Sequence, residues 1–310
     1  FIHDRVTSIG VLAHDPAIVD LVTSANRTYA GLSEDAIAAR IGGIEKVWNT
    51  PAADSRVREI LSNPAARLLR RYRDLDRRFL RITVTDEKGA TVAATHKTLD
   101  YFQADEEFWQ AIYAQGRGAV SLTDILSDDV TKSFYVGIGV PIMEEGSNRF
   151  IGVVDALLEV STIFPIIHRP RVGSTARMSI VKEDGTVIGA PQVNLAMRLK
   201  SSEFEVVREA LGTLEGRERG WVTARLSNGV PHLIAFADTG LKKDYGSLGW
   251  YVLLSQEARE AFAPIRMVSR MLLLMALIGL LAVIFLTVYF SLHRKRAFTD
   301  LRPEAPARSA

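Results

Sequence analysis

The chain has 310 residues, no cysteine and a formal net charge of only +2. A charge this close to zero gives no sign of nucleic-acid binding, which requires clustered excess Lys and Arg. Without cysteine there can be no disulfide and no thiolate site, and the absence of thiols is compatible with an extracytoplasmic location.

The first 80 residues have apolar side chains at helical spacing, among them Ile9, Leu12 and Ile18. Asp15-Pro16 is typical of a helix cap followed by a first-turn proline. We predict a long N-terminal helix here, a helical stalk over residues 1–80. Seven arginines lie between residues 67 and 81. They could form an anion-binding patch, but a solvated helix face with local ion pairs is the simpler interpretation.

A first set of β-elements begins near Leu80, where the apolar period changes from helical to alternating. Residues 79–96 alternate around a Lys88-Gly89 turn, which predicts a hairpin. A short helix is predicted at 105–115, and three strands at 119–125, 133–142 and 150–160.

The same order then repeats. Residues 176–190 form a second predicted hairpin that turns at Asp184-Gly185, and a helix is predicted at 202–211. Strands are predicted at 220–226, 232–237 and 250–255, and Asn228-Gly229 is a strong hairpin turn between the first two. The repeat predicts an α+β fold with two tandem antiparallel-sheet units, residues 81–168 and residues 169–258.

Residues 271–292 form a run of 22 residues without a charge. A helix of about 20 apolar residues crosses the hydrocarbon core of a bilayer. The alternative is a buried core helix. Basic residues 294–296 follow the run, which predicts a cytoplasmic tail over 293–310 and an extracytoplasmic location for residues 1–266 at a plasma (inner) membrane.

The chain starts at Phe1 rather than at a methionine. We therefore expect a longer protein with a second membrane span before Phe1. The tail after His293 has 17 residues. Because that is too short for an output module, we expect the output to lie outside this chain, or on a cytoplasmic partner.

The element order and three sequence segments carry a family resemblance. The segments are DEKGATVAATH, YFQADEEFWQAIYAQGRG and FIGVVDALLEV, which begin at residues 86, 101 and 150. With the helical N-terminus and the apolar run after the last strand, the chain resembles the double Cache sensor domains of bacterial chemoreceptors and sensor histidine kinases. This resemblance implies a PAS-like fold in each unit and a small-molecule pocket in the membrane-distal unit.

The sequence contains no catalytic or metal-binding motif. No two of its six histidines lie three to five residues apart, and neither a Gly-x-Ser-x-Gly elbow nor a phosphate-binding glycine loop is present. We therefore predict a non-enzymatic protein without a metal or another cofactor.

Polar and aromatic residues are densest in the first unit. Phe108 and Trp109 lie on the predicted short helix, where they either line a pocket or pin the helix to the sheet. Tyr135 shares a strand face with two glycines, which either leave space or permit close approach. Asp155 lies in an apolar row, where a carboxylate is costly unless it is paired.

The resemblance also bears on ligand class. Double Cache domains that bind amino acids carry a Tyr, an Arg, a Trp-Tyr pair and a later Asp. Tyr101 fits the first position and Phe108-Trp109 resembles the pair, but Glu106 replaces the Arg and Asp155 lies two residues early. This departure favours an amine or another cation over α-amino acids. The predicted ligand-binding residues are Tyr101, Asp105, Glu106, Phe108, Trp109, Asp128, Tyr135 and Asp155.

The predicted function is small-molecule sensing by a membrane-bound signal-transduction receptor that also contacts a cytoplasmic partner and forms a homodimer. One alternative is a membrane-tethered binding or structural module without signalling. A second is an extracytoplasmic hydrolase, for which the sequence offers no nucleophile–base pair.

Overall fold

The computed structural model describes residues 1–127, 133–163, 173–190, 193, 197–214 and 216–299. The predicted ligand residue Asp128 and most of the predicted tail lie outside these ranges. The described part is a mixed fold of helices and two antiparallel sheets, followed by one long apolar helix.

Five helices occupy the N-terminal part, so the prediction of one long N-terminal helix is wrong. They are α1 (Ile2–Ala13), α2 (Pro16–Arg27), α3 (Glu34–Val47), α4 (Asp54–Ser62) and α5 (Pro64–Leu75). Proline starts α2 and α5 because it lacks the N–H that a helix interior needs and pushes the preceding residue out of the helical region. Asp15 and Asn63 cap these two helices, and the axes of α1 and α2 differ by 59°.

The first sheet has the strand order β2-β1-β6-β5-β3, with β4 paired to β5, and all its pairs are antiparallel. The strands are β1 (Phe79–Asp86), β2 (Thr91–Ala94), β3 (Ser121–Leu122), β4 (Leu126–Ser127), β5 (Phe134–Met143) and β6 (Phe150–Glu159). The helix α6 spans Glu107–Tyr113. The strand predicted at 119–125 is much shorter in the structure, because only Ser121 and Leu122 pair as a strand.

The second sheet repeats this arrangement in the order β8-β7-β11-β10-β9. Its strands are β7 (Arg177–Lys182), β8 (Val187–Gly189), β9 (Arg219–Arg225), β10 (Pro231–Asp238) and β11 (Trp250–Glu257). The helix α7 (Ser202–Leu211) has the predicted bounds, whereas the short helix α8 (Leu241–Tyr245) was not predicted from the sequence. In both sheets the first and last long strands are central neighbours.

The N-terminal helices cover one face of the first sheet. Ile9 of α1 and Ile18 of α2 are fully buried in one cluster with Ile138 and Val154 of the sheet. Alternate residues of the same strands face the opposite way, toward α6. In the second sheet, α7 packs Phe204 against the strands. The first sheet is therefore covered on both faces, and the candidate site lies on the α6 side.

Polar contacts join the two sheets to each other. Ser247 Oγ donates to the Leu122 carbonyl oxygen at 2.9 Å, and Lys182 Nζ lies 2.5 Å from Asp124 Oδ2. His3 Nδ1 of α1 also lies 2.7 Å from the Tyr245 hydroxyl. These contacts hold the second sheet against the β3 edge of the first.

Strand β11 leads through α9 (Ala258–Ala261) into α10 (Ala263–Thr299). Residues 263–293 of α10 have a mean hydropathy of 3.0 in their most apolar stretch, and none of that stretch is buried. The length and composition of α10 fit a membrane span, and its exposed apolar surface does not match the alternative of a buried core helix.

A single carboxylate joins the start of the second sheet to α9. Glu260 accepts from the backbone N–H of Ser174 at 2.6 Å and of Thr175 at 2.8 Å, and from both of their hydroxyls. These hydrogen bonds lower the pKa of Glu260 to about 2. We call this contact the Glu260 clasp.

Candidate ligand-binding site on the first sheet

Three neighbouring strands form the α6-facing surface of the first sheet. Thr83 of β1 pairs with Asp155 of β6, which pairs with Gly139 of β5. Directly paired residues project from the same face of a sheet. Tyr135 also lies on this face, but it pairs with Glu159, four residue pairs along the β5–β6 ladder from the Gly139–Asp155 pair. Tyr135 and Asp155 therefore share a surface without being neighbours.

The helix α6 lies over this surface and is fixed there by Trp109. The indole Nε1 donates to Thr85 Oγ1 at 2.9 Å, and Trp109 is only 3% exposed. Its ring stacks on Tyr113 at 5.3 Å and meets Phe150 edge-on at 5.8 Å. Because its N–H is hydrogen-bonded and its ring packs against two other aromatic rings, Trp109 holds α6 on the sheet. Phe108 is half-buried beside the same cluster.

The two glycines of β5 let neighbouring elements approach closely. A Cβ added to Gly139 would collide with the Ile112 side chain of α6, and one added to Gly137 would lie 2.9 Å from Thr123 Oγ1. The space above both glycines is thus already filled. The alternative that they open a cavity beside Tyr135 does not match this packing.

Asp155 is buried on this surface and has no hydrogen-bonding partner among the described residues. Its side chain is 7% exposed, and burial raises the pKa of its carboxyl to about 6, opposed only by the charge of Arg81. No hydrogen bond from a described residue contributes to this pKa. Since buried carboxylates are normally paired or hydrogen-bonded, Asp155 is an exception that requires an explanation.

Two further polar groups on the same surface have no hydrogen-bonding partner in the described part of the chain, and neither was predicted from the sequence. Thr83 is 3% exposed and its Oγ1 is buried without a hydrogen bond, as is Nε of the half-buried Arg81. Arg81 pairs with Leu157, so it lies diagonally from Asp155. The alternation of β1 places Arg81 and Thr83 on one face, but their proximity to Asp155 depends on the β1–β6 pairing, for which the sequence offers no direct signal.

Tyr101 lies at the outer edge of this surface, among the N-terminal helices. It is 2% exposed and packs with Trp48 and Ala94, the residue that pairs with Thr83. Its backbone N–H donates to Glu45 Oε2 at 2.8 Å, and its hydroxyl accepts from Arg56 Nη2 at 3.3 Å. Burial raises the pKa of Tyr101. Tyr101 therefore borders the site, and its visible contacts are structural.

The remaining predicted residues are not gathered at this surface. Asp105 and Glu106 are exposed just before α6. Partial desolvation and the carboxylates of Asp100 and Asp105 raise the pKa of Glu106. The structure thus brings Asp155 together with Arg81 and Thr83, whereas Asp105 and Glu106 remain in solvent.

Two clefts lie beyond this surface, near the β1–β2 turn. One of about 410 Å³ is lined by charged side chains that include Arg27, Lys88 and Arg149, and an adjoining cleft of about 280 Å³ runs along Ile37 and Ile41 of α3. Neither cleft is lined by a predicted ligand residue. In the described part of the chain, no group of three or more His, Asp or Glu side chains is placed to hold a metal ion.

The described part of the chain combines two antiparallel sheets of matching strand order, a helix over one face of the first sheet and an apolar helix after the last strand. The comparison with family models identifies the family. The model described as Cache domain (dCache_1) matches residues 18–265, so the chain belongs to the Cache domain family. No curated protein matches the chain significantly.

Solved structures similar to the chain include extracellular domains of histidine kinases and ligand-binding domains of chemoreceptors. The extracellular domains of two proteins described as histidine kinases, mmHK1S-Z3 and vpHK1S-Z8, each align with a TM-score of 0.50 at 14% and 13% identity. They cover 82% and 83% of this chain and 98% and 88% of their own. The ligand-binding domain of the Pseudomonas aeruginosa PAO1 amino acid chemoreceptor PctB with L-Arg is 22% identical, with a TM-score of 0.43 over 73% of this chain and 89% of its own.

Proposed function

We propose that this chain is the small-molecule-sensing part of a membrane-bound signal-transduction receptor. The first sheet, in a PAS-like unit over residues 81–168, binds the ligand on its α6-facing surface. A second PAS-like unit, over residues 169–258, connects the first to the membrane. The observation that carries this proposal is the buried Asp155 carboxylate, which has no partner among the described residues. Family membership supports a sensing role.

Asp155 is the polar anchor of the proposed site. A buried carboxylate without a partner costs free energy in the ligand-free state, and an amine recovers that cost through a charge-assisted hydrogen bond worth roughly 1.5–3 kcal/mol. An amine or another cationic group therefore fits this position. Trp109 fixes the wall formed by α6, and Tyr101, Phe108 and Tyr135 supply the aromatic border.

The membrane arrangement follows from α10. Residues 1–266 lie outside the cytoplasm, α10 crosses the bilayer, and residues 293–310 are cytoplasmic. Arg266 and Arg270 precede the apolar run, and the basic residues 294–296 follow it. Such flanks hold a span in register with the two membrane surfaces.

Signal transfer in this proposal runs from the sheets into α10. A ligand can shift a receptor only if its affinity differs between two arrangements. Strand β11 is continuous with α9 and α10, and the Glu260 clasp ties α9 to the start of β7. A change in the second sheet therefore reaches the span through both of its central strands.

The test is a ligand screen on the full chain in detergent micelles, in which unfolding is followed by tryptophan fluorescence. A ligand at a hundredfold excess over Kd stabilises the protein by about 2.7 kcal/mol. Asp155→Asn keeps the side-chain shape and removes the charge, so an amine ligand should bind about tenfold or more weakly. If ligands bind with unchanged affinity to the variant, Asp155 is not the anchor. If no small metabolite stabilises the chain, the sensing proposal fails.

A further inference from the structure

We propose that the start of α10 binds the phosphate group of an anionic phospholipid in the extracytoplasmic leaflet of the membrane. The site is a cleft where α9 meets α10, and its charged groups are Arg259, Arg266 and Arg270. This inference rests on the proposed function, because it assumes that α10 crosses the bilayer.

The cleft combines positive charge with apolar surface. Its volume is about 380 Å³, which lies in the range of small-molecule sites, roughly 300–1,000 Å³. It is lined by Arg259, Ala263, Arg266, Met267, Arg270 and Met271. Helical residues three or four positions apart lie on the same face, so the arginines and methionines of α10 form one continuous strip.

The three arginines have no acidic partner in the described part of the chain. All three are exposed, and none forms an ion pair with a described residue. The sequence contains no Asp or Glu between Glu260 and Asp300. The carboxylate of Glu260 is already occupied by the backbone N–H groups of Ser174 and Thr175. Three adjacent positive charges therefore remain available to an anion.

A hydrogen bond draws two of these arginines together. Arg266 Nη2 donates to the Arg259 carbonyl oxygen, which holds the guanidinium of Arg266 over the junction of α9 and α10. Its other N–H groups have no partner among the described residues. Because a guanidinium presents its donors in a planar fork, it matches the geometry of phosphate oxygens.

The order of charged and apolar residues along α10 favours a lipid over a soluble anion. Arg270 directly precedes the uncharged residues 271–292, and Met267 and Met271 line the same cleft. A phospholipid has the matching order, since its phosphate lies at the membrane surface and its acyl chains lie in the hydrocarbon core. A soluble phosphate would use the arginines and leave the methionines uncovered.

The side of the membrane on which these arginines lie also requires an explanation. Lys and Arg flanking a span are concentrated on the cytoplasmic side, as residues 294–296 are in the proposed topology. Arg266 and Arg270 lie at the opposite end of the span. Each basic residue at an anionic membrane surface strengthens binding by about fivefold, so a bound anionic headgroup accounts for their position.

The first experiment compares lipids retained by the full chain, measured by native mass spectrometry from detergent micelles. The micelles contain equal amounts of phosphatidylglycerol and phosphatidylcholine with the same acyl chains. The wild-type chain should retain phosphatidylglycerol with a preference of about tenfold or more. Replacing the three cleft arginines together with Gln should abolish this preference, whereas replacing them with Lys keeps the charge and should preserve most of it.

A matched control removes three exposed arginines far from α10 in the sequence, through Arg58→Gln, Arg71→Gln and Arg217→Gln. This control should leave the lipid preference unchanged. Equal retention of the two lipids by the wild-type chain overturns the proposal, as does an unchanged preference in the Gln variant of the cleft.

The second experiment separates a lipid from the other possible occupants. Glycerophosphoglycerol, which is the same headgroup without acyl chains, should compete with phosphatidylglycerol about tenfold or more weakly than the lipid itself. Equal competition would mean that the cleft binds a soluble phosphate, and the lipid assignment would be wrong. It would also be wrong if the Gln variant changed the fraction of dimers without changing the lipid preference, because the cleft would then be an interface between two copies.

The outcomes are distinguishable from those of the sensing proposal. If an amine stabilises the chain through Asp155 but the two lipids are retained equally, the sensing site stands and the lipid site is wrong. If phosphatidylglycerol is retained selectively but no small metabolite stabilises the chain, the lipid site stands and the sensing proposal fails. If the chain stays in solution without detergent and retains neither lipid, the membrane arrangement and this inference fail together.

Discussion

Replacing Asp155 with Asn should stabilise the ligand-free protein at neutral pH. The unfolded chain has an ordinary aspartate pKa of 3.8, and burial raises the folded value to about 6. Because the folded pKa lies above the unfolded one, the contribution of the Asp155 carboxyl to the free energy of unfolding is fully present below pH 3.8 and is lost as pH rises through 6. At pH 7.5 the wild-type protein therefore carries the full cost of a buried charge, which Asn does not.

The size of this effect follows from the two pKa values. A rise from 3.8 to about 6 corresponds to about 3 kcal/mol, at about 1.36 kcal/mol for each pKa unit. Asp155 is only 7% exposed, so solvent screening reduces this figure little. For a folded part of about 250 residues, about 3 kcal/mol corresponds to a Tm increase on the order of 6–12 °C.

The assay is thermal unfolding of the ligand-free full chain between pH 4 and pH 8, followed by tryptophan fluorescence. Trp48 and Trp109 are buried beside the first sheet and report on its unfolding. The difference in Tm between Asp155→Asn and wild type should be near zero at about pH 4 and grow through pH 6.

Asp86 supplies the matched control, because it is also buried and burial raises its pKa too. Unlike Asp155, it accepts from the Tyr29 hydroxyl at 2.6 Å and from the backbone N–H of Lys88 and Ala90. Asp86→Ala leaves these three donors without their acceptor in the interior and should therefore lower Tm. If Asp155→Asn lowers Tm at every pH, then Asp155 is a satisfied structural carboxylate and the argument for a ligand anchor is refuted.

Three further predictions concern packing, the clasp and topology. Gly139→Ala should lower Tm by several degrees, because the new methyl group collides with Ile112, whereas Gly43→Ala on the open face of α3 should not lower it. Equal Tm values for the two variants would show that α6 moves freely. Glu260→Gln should speed amide hydrogen exchange at Ser174 and Thr175, with Glu257→Gln as the control, and unchanged exchange would contradict the clasp. In the wild-type protein the protection of these amides should fall as pH drops from 4.5 toward 2, because the pKa of Glu260 is lower in the folded protein than in the unfolded chain. A reporter fused after Ala310 should be active only in its cytoplasmic form, and periplasmic activity would reverse the topology.

The sequence predicted the sheet elements well because their signals are local. Alternating residues followed by a Gly89, Gly185 or Gly229 turn define hairpins without reference to the rest of the chain. The prediction of a single long N-terminal helix was wrong for a local reason too. Pro16 and Pro64 each begin a new helix, and a periodic apolar pattern continues across such a break even though the axis turns.

The candidate site was harder to predict because it depends on strand pairing. Asp155 was recognisable as a carboxylate in an apolar strand, whereas Arg81 is separated from it by more than seventy residues and looked like one more arginine of a basic run. Its position beside Asp155 appears only when β1 pairs with β6. Similarly, the sequence left two interpretations of Gly139, and the packing of Ile112 against it decided between them.

The Glu260 clasp determines which kinds of motion can pass from the second sheet into α10. A helix that is joined to a sheet at only one strand end can rotate about that joint. Much of a displacement of the sheet would then not be passed on to the helix. Here α9 is attached at two points, through the covalent continuation of β11 and through the hydrogen bonds to the segment before β7. Two points of attachment remove that freedom, so we expect a shift of the central strands to tilt or translate α10 as a rigid body.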